Sequence, residues 1–250
     1  MRMATGILGI LLVCGAPWGA VAHAQPSTNP ITVVTEEYPP YNYQGADNQI
    51  AGLSTEVVRE ALKRARIEYR INLYPWARTY RMAQEQPNVL IYSIARNEQR
   101  EKLFQWVDVI AQNNAYIYRL KTRPEVKAQH LDELKRFRIG AVRDDYRAQY
   151  LAKHAIPLDL AVEDAANAHK LASARIDMFV IDEIAQVALY KREGLDPASV
   201  EKVMALPELS SGLYMAFSLK TDSTLVERCR AALREMHRDG TMEKIKARYL

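Results

Sequence analysis

Acidic residues follow directly on two apolar segments that predict buried strands. Glu36 and Glu37 come after Ile31–Thr35, and Asp182 comes after Met178–Ile181. A carboxylate at such a strand end can bind a cationic group, or it can accept hydrogen bonds from the first turn of a following helix. Both uses remain open for Asp182, because a helix is predicted to begin at the next residue.

Arg100 is a candidate for binding an anion. A planar guanidinium can bind a carboxylate through two parallel hydrogen bonds, whereas the alternative is an exposed arginine beside its acidic neighbours.

The chain has 14 tyrosines against 4 phenylalanines, and the ring and hydroxyl of tyrosine suit the wall of a polar cleft. Tyr38, Tyr41 and Trp76 are candidates for such walls, and ordinary packing explains Tyr41 equally well.

Hydrophobic patterning predicts strands and helices in alternation. The first third of the chain shows strand, helix, strand, helix and strand, and the pattern restarts near Phe137. This order is typical of parallel sheets covered by helices. Ser54 is predicted to cap the first helix and Pro75 to open the second. We therefore expect an α/β protein with two lobes of related architecture.

The first 24 residues have the layout of a secretory signal peptide. Arg2 precedes an apolar run over Ala4–Val13, and Ala22-His23-Ala24 provides a cleavage site. The apolar run is shorter than a membrane span requires; an uncleaved anchor and lipid attachment at Cys14 are the alternatives. Only Cys229 remains after cleavage, so we expect an exported, periplasmic protein without internal disulfides.

Charged residues of both signs are scattered along the chain. There are 34 lysines and arginines against 30 acidic residues, a net charge of +4, and the lack of clustering argues against a nucleic-acid surface. The sequence contains no glycine-rich phosphate loop, no paired metal-binding histidines and no Cys-x-x-Cys motif. We therefore expect no cofactor, no metal and no nucleic-acid partner, and we expect a monomer.

Several segments together carry a family resemblance through their order and spacing. They are Glu36–Tyr43, Gly52-Leu53, Ser93–Arg100 with Phe104-Gln105-Trp106, Ile139–Arg143, Arg175–Asp182 and Met236–Ile245. This set resembles the amino-acid type of periplasmic solute-binding protein, the bacterial extracellular solute-binding proteins of family 3. The resemblance covers nearly all of the mature chain and implies the type II periplasmic binding fold.

In that fold each lobe is a mostly parallel sheet flanked by helices, and the chain crosses between lobes twice. The resemblance implies that lobe one comprises residues 26–115 plus 212–250, and that lobe two comprises residues 116–211. The crossings at Ala115-Tyr116 and Ser211-Gly212 would form a two-segment hinge. Such a hinge allows the lobes to close on a ligand.

The resemblance also implies roles for single residues. Arg100 would bind the α-carboxylate of the ligand, with Ser93 and Ala95 beside it. This chain has Ala95 where the family usually has a threonine, which removes one side-chain contact. Asp182 would pair with the α-amino group of the ligand.

Three further positions differ in how closely they follow the family. Glu36 or Glu37 holds the place of an acid that contacts the amino or side-chain end of the ligand, and the sequence does not choose between them. Arg143 holds the place of a cationic residue in lobe two, but Asp144-Asp145-Tyr146 replaces the small residues that let a helix N-terminus approach the ligand. Arg96 is a charge where an apolar residue is common. If it faced the cleft, two arginines would indicate a ligand rich in negative charge.

The function implied by the resemblance is binding of a small polar solute, an amino acid or a related carboxylate, for ABC-type uptake. The partner would be a membrane permease. A periplasmic ligand sensor is the first alternative. The second is an enzyme similar to cyclohexadienyl dehydratases, which share this fold; Glu36, Glu37 or Asp182 could then act as the acid. We expect a binding protein and not an enzyme.

Overall fold

The computed structural model describes residues 30–249, so the signal peptide predicted over residues 1–24 lies outside the described residues. The strands are β1 (Ile31–Thr35), β2 (Tyr43–Gln44), β3 (Ile50–Ala51), β4 (Tyr69–Leu73), β5 (Val89–Ala95), β6 (Phe104–Asn113), β7 (Ala115–Leu120), β8 (Ile139–Val142), β9 (Leu158–Ala161), β10 (Met178–Asp182), β11 (Val200–Ala205) and β12 (Ser211–Ser218). The α-helices are α1 (Leu53–Arg64), α2 (Trp76–Glu85), α3 (Tyr146–Lys153), α4 (Asp164–Ala172), α5 (Glu183–Arg192), α6 (Ser223–Arg238) and α7 (Thr241–Lys246). None of these helices, within residues 30–249, is long and apolar enough to cross a membrane.

The first sheet contains five strands in the spatial order β4-β1-β5-β12-β6. Strand β1 pairs in parallel with β4 and β5, whereas β12 is antiparallel to both of its neighbours. Helices α1 and α2 lie between the parallel strands in sequence, as the alternating pattern predicted. All seven residues of β5 are buried, which is expected for a central strand covered on both faces.

The second sheet repeats this layout in the order β11-β7-β10-β8-β9. Strand β8 is parallel to β9 and β10, whereas β7 is antiparallel to β10 and β11. Each sheet therefore has three parallel strands followed by an antiparallel strand and a fifth strand. The predicted α/β class, with two related sheets flanked by helices, is confirmed.

The chain passes from one sheet to the other at two places. It leaves the first sheet after β6 and returns to it at β12, so the second sheet is built from strands between Ala115 and Ala205. Ala115-Tyr116 and Ser211-Gly212 are the first residues of β7 and β12, directly after these crossings, and the hinge stays a prediction. We keep the division into lobe one (residues 26–115 plus 212–250) and lobe two (residues 116–211) as a proposal.

Helix α1 begins before the cap that the sequence predicted. Its N-cap is Gly52, which has φ +115°, and a Cβ there would lie 2.4 Å from the carbonyl oxygen of Tyr41. Only glycine permits this close approach. Ser54 lies inside the helix, and its buried Oγ has no hydrogen-bond partner among the described residues. The predicted cap at Ser54 is therefore wrong.

Candidate functional site

Arg100 is a buried cation whose donors are largely unused. It follows β5, is 1% exposed, and its Nη1 donates to the carbonyl oxygen of Ala95 at 3.3 Å. Its Nε and Nη2 have no partner among the described residues. The guanidinium carbon lies 5.0 Å from the ring centroid of Trp76 and 4.9 Å from that of Tyr80. The two unused donors can form the pair of hydrogen bonds that a carboxylate accepts.

Trp76 and Tyr80 begin a row of aromatic rings beneath Arg100. Their centroids are 5.4 Å apart and nearly stacked, and the row continues through Phe104 and Trp106. Tyr80 was not a sequence candidate, although its spacing of four residues from Trp76 places both on one helix face. The indole Nε1 of Trp76 donates to the carbonyl oxygen of Asp144 at 2.8 Å. The first residue of α2 therefore contacts the segment just before α3.

Tyr146, the first residue of α3, covers another side of Arg100. Its ring centroid is 5.9 Å from the guanidinium carbon, and its hydroxyl lies 2.5 Å from Nδ2 of Asn113. The buried Oδ1 of Asn113 has no partner among residues 30–249. We call the region between α2 and α3 around the Arg100 guanidinium the cleft. Its aromatic walls exclude water, which strengthens any charge pair formed there.

Ser93 and Ala95 lie at the end of β5, on the strand that leads to Arg100. Ser93 is buried at a β-bulge opposite β12 and has φ +58°. Its Oγ has no hydrogen-bond partner among the described residues. A positive φ at a residue other than glycine costs about 1–3 kcal/mol, and such strain is concentrated at binding sites. The strand thus carries the unpaired Ser93 hydroxyl and ends at Ala95, whose carbonyl oxygen accepts from Arg100.

Arg147 forms a buried ion-pair network that the sequence analysis did not identify. Its Nε lies 2.7 Å from Oδ1 of Asp145, and its Nη2 lies 3.1 Å from Oδ2 of Asp164. Its Nη1 donates to the carbonyl oxygen of Val180 at 3.3 Å. The guanidinium carbon is also 5.5 Å from the ring centroid of Tyr38, in the loop after β1. Because all three nitrogens have partners, Arg147 offers no unused donor nitrogen to a ligand.

The N-terminus of α3 is occupied by a side chain of the chain itself. Asp145 is the N-cap, and its Oδ1 accepts a hydrogen bond from the backbone N–H of Arg147. An anion approaching this helix end would meet a carboxylate, so this end does not offer the anion site that a helix N-terminus otherwise provides.

Arg143 is exposed, and its side chain forms no ion pair or hydrogen bond within the described part of the chain. Its predicted ligand contact stays a prediction.

Asp182 serves as the N-cap of α5. Its Oδ1 accepts from the backbone N–H groups of Ile184 and Ala185 at 3.0 and 2.9 Å, and its Oδ2 accepts from that of Asn114 at 2.7 Å. The Tyr41 hydroxyl lies 2.9 Å from Oδ1. Burial raises the pKa of Asp182, whereas the hydrogen bonds from Ala185 and Asn114 lower it. Asp182 therefore caps α5, and its contact with the ligand stays a prediction.

We expect Asp182→Ala to destabilise the protein by about 2–4 kcal/mol without any ligand, because it removes a helix cap and leaves buried donors unpaired. Asp182→Asn keeps one acceptor oxygen at the cap and should lower the free energy of unfolding by about half as much. Urea unfolding followed by circular dichroism measures both. Equal stability of the wild type and Asp182→Ala would show that the cap is unimportant.

Glu37 and Arg96 are engaged in ion pairs away from Arg100. Glu37 Oε1 lies 3.0 Å from Nη2 of Arg192, at the end of α5. Arg96 is exposed, its Nε donates to Glu101 at 2.7 Å, and its guanidinium carbon lies 5.3 Å from the ring of Trp106. Arg96 is therefore paired at the surface and does not add a second positive charge beside Arg100.

Glu36 is half-buried at the end of β1. Burial raises the pKa of its carboxyl group well above the ordinary value of 4.5. The nearby carboxylates of Asp145 and Asp164 raise this pKa further, whereas Arg147 and Arg100 lower it. Glu36 follows β1 directly, and its carboxyl group forms no ion pair among residues 30–249.

Comparison with known sequences finds relatives along the whole described chain. The sequence profile of the bacterial extracellular solute-binding proteins, family 3, matches residues 31–250. The L-cystine-binding protein TcyJ of Escherichia coli (strain K12) is 20% identical over 253 residues, which cover 98% of this chain and 93% of that protein.

Comparison with solved structures shows the same fold in proteins of low sequence identity. A histidine kinase sensor domain with similarity to periplasmic binding proteins has a TM-score of 0.79 at 19% identity, over 89% of this chain and 96% of that chain. An ancestral arginine-binding protein bound to arginine has a TM-score of 0.77 at 20% identity, over 88% of this chain and 98% of that chain. The predicted periplasmic binding fold is confirmed.

Proposed function

The chain belongs to the bacterial extracellular solute-binding proteins, family 3, and we propose that it binds an amino acid or a related small carboxylate in the cleft. The observation that carries this proposal is Arg100, a buried arginine with two unused donor nitrogens. A buried charge without a partner is costly, and chains retain one where a ligand supplies the opposite charge. The name of the E. coli relative, an L-cystine-binding protein, agrees with an amino-acid ligand.

In this proposal the ligand carboxylate accepts hydrogen bonds from Nε and Nη2 of Arg100. Trp76, Tyr80 and Tyr146 surround the guanidinium and exclude water from the pair. Because Trp76 and Tyr146 come from different lobes, full enclosure of the ligand requires the lobes to close. The crossings between the two sheets would serve as the hinge for this movement.

Several contacts join the lobes around the cleft and would hold the closed form. Trp76 donates to the carbonyl oxygen of Asp144, and the hydroxyl of Tyr41 lies 2.9 Å from the Asp182 carboxylate. Opening the lobes would break these contacts, so ligand binding and lobe closure should be coupled.

The proposed role of the closed form is to deliver the ligand to a membrane permease. The protein would do so in the periplasm, after export. A sensor is the alternative, and the likeness in fold to a histidine kinase sensor domain supports it. Both roles require the same loaded form. They differ in the partner that contacts it.

A thermal-shift screen of residues 25–250 tests the binding proposal. Ligand at 100 times its dissociation constant should add about 2.7 kcal/mol to the free energy of unfolding. For a chain of this size the midpoint should rise by about 5–10 °C. The screen should contain amino acids of each charge class, polyamines and prephenate. Absence of a shift with every amino acid would contradict the proposal.

A further inference from the structure

The net charge of the chain is concentrated on one surface, where α6 crosses the end of α1, although charged residues are scattered along the sequence. The sequence has 34 lysines and arginines against 30 acids, and of these only Arg2 lies outside residues 30–249, so the described chain has a net charge of +3. Residues 60–66 and 227–239 contain seven lysines and arginines against four acids. These two segments therefore account for the whole net charge, and the rest of the described chain is neutral.

The four acids of this region are paired with only two of its arginines. Three of them contact Arg64, at distances of 2.7, 2.8 and 3.7 Å, and the fourth pairs with Arg230. In sequence order these acids are Glu60, Glu227, Glu235 and Asp239. Four other arginines are exposed and form no ion pair among residues 30–249. They are Arg66, Arg228, Arg234 and Arg238, and we call them the arginine face.

The arginine face is an extended and open surface. Arg228 and Arg238 are ten residues apart on α6, which separates them by about 15 Å along the helix axis. Nη2 of Arg228 donates to the carbonyl oxygen of Arg66 at 2.8 Å and so joins the turn after α1 to α6. Two adjoining surface grooves run between the four side chains, and Ala231 and Arg238 line both. Among the described residues, no large apolar side chain lines either groove.

These features fit the surface of an anionic bilayer better than an acidic protein. The buried core of a protein interface is apolar and rich in aromatic side chains, whereas the only apolar residues in these grooves are alanines. An anionic bilayer presents many phosphate groups in one plane. Guanidinium groups bind phosphate through paired hydrogen bonds, and each arginine close to such a surface strengthens the attachment.

We propose that the arginine face docks this protein on the surface of an anionic lipid bilayer. This inference goes beyond the proposed function and does not depend on the ligand in the cleft. The face lies at the C-terminal end of α1, a helix about 18 Å long. At the other end of α1, Gly52 adjoins Tyr41, whose hydroxyl lies 2.9 Å from Asp182 in the second sheet. Docking would therefore leave this contact between the two sheets uncovered.

Sedimentation of the mature protein, residues 25–250, with lipid vesicles tests the inference. We expect binding to vesicles of phosphatidylglycerol in about 50 mM NaCl. Binding to vesicles of phosphatidylcholine, whose headgroup has no net charge, should be at least about tenfold weaker. About 0.5 M NaCl should weaken the binding to phosphatidylglycerol at least about tenfold, because salt screens exposed charges.

A double variant, Arg234→Gln with Arg238→Gln, should bind phosphatidylglycerol about 30-fold more weakly, since each arginine near the bilayer contributes about fivefold to the affinity. Neither side chain forms a hydrogen bond among residues 30–249, so the variant should fold. Arg81→Gln with Arg175→Gln is the matched control, because it removes two exposed, unpaired arginines of the described chain that lie outside the arginine face. It lowers the net charge equally and should weaken binding by less than about threefold. Circular dichroism verifies that both variants are folded.

Three results would overturn the inference: no sedimentation with phosphatidylglycerol at low salt, equal binding to both lipids, or an equal loss of binding in the two double variants. Binding to polyglutamate without binding to vesicles would also overturn it, and would assign the arginine face to an acidic protein partner. None of these results bears on the cleft, because the thermal-shift screen tests ligand binding separately.

Discussion

Replacing Arg100 with leucine should strongly weaken the binding of a carboxylate ligand while it stabilises the ligand-free protein. The loss follows from the two hydrogen bonds that Nε and Nη2 can give to a carboxylate. Truncating one partner of a buried, hydrogen-bonded charge pair costs about 2–5 kcal/mol of binding free energy. This corresponds to a loss of affinity of about 30-fold to several thousandfold.

The gain in stability follows from the same unpaired charge. Arg100 is 1% exposed and its Nε and Nη2 have no partner among the described residues. Replacement of buried ionic groups by apolar side chains of similar size can stabilise a protein by about 1–4 kcal/mol.

Urea unfolding and ligand titration measure the two effects on the same samples. Arg96→Leu is the matched control, because Arg96 is an exposed arginine paired with Glu101. It should change the affinity by less than about threefold and the stability by about 0.5 kcal/mol or less. A destabilised Arg100→Leu variant that still binds its ligand would contradict the assignment of Arg100 as the anion-binding residue.

Replacing Arg147 with methionine should be among the most destabilising single changes in lobe two. It would leave the carboxylates of Asp145 and Asp164 buried without a cation, and removal of one member of a buried ion pair costs about 3–5 kcal/mol. The unfolding midpoint should fall by about 6–20 °C. The deficit should shrink as the pH falls, because burial raises the pKa of Asp164 and its protonation removes an uncompensated charge.

Two further variants separate the buried network from a general effect of removing an arginine. Arg143→Met changes an exposed arginine four residues earlier and should alter the stability by about 0.5 kcal/mol or less. Adding Asp164→Asn to Arg147→Met should restore part of the lost stability, because one of the two unpaired charges is removed. If Arg143→Met proved as destabilising as Arg147→Met, the network would not be the cause.

Local patterning was sufficient for the strands and helices that are built from contiguous apolar runs. The helix α5 begins directly after Asp182, as the sequence predicted, and β1 matches its predicted range. These elements bury a regular face, so their periodicity is visible in the sequence.

The strands β6, β7 and β11 were missed, although β6 is ten residues long. Its buried and partly exposed positions do not alternate regularly, and its register against β12 shifts twice. Such strands depend on pairing with a partner that is distant in sequence, so local patterning identifies them poorly.

For the site, the sequence by itself determined which residue types were present: an arginine suited to a carboxylate, acids at two strand ends and aromatic residues suited to a cleft. Only the tertiary structure decided which of them are left unpaired. Asp182 accepts hydrogen bonds at the start of α5, Glu37 pairs with Arg192, and Arg147 pairs with Asp145 and Asp164. Whether a charge is compensated depends on neighbours from distant parts of the chain, because ion pairing and desolvation act through space and not along the sequence.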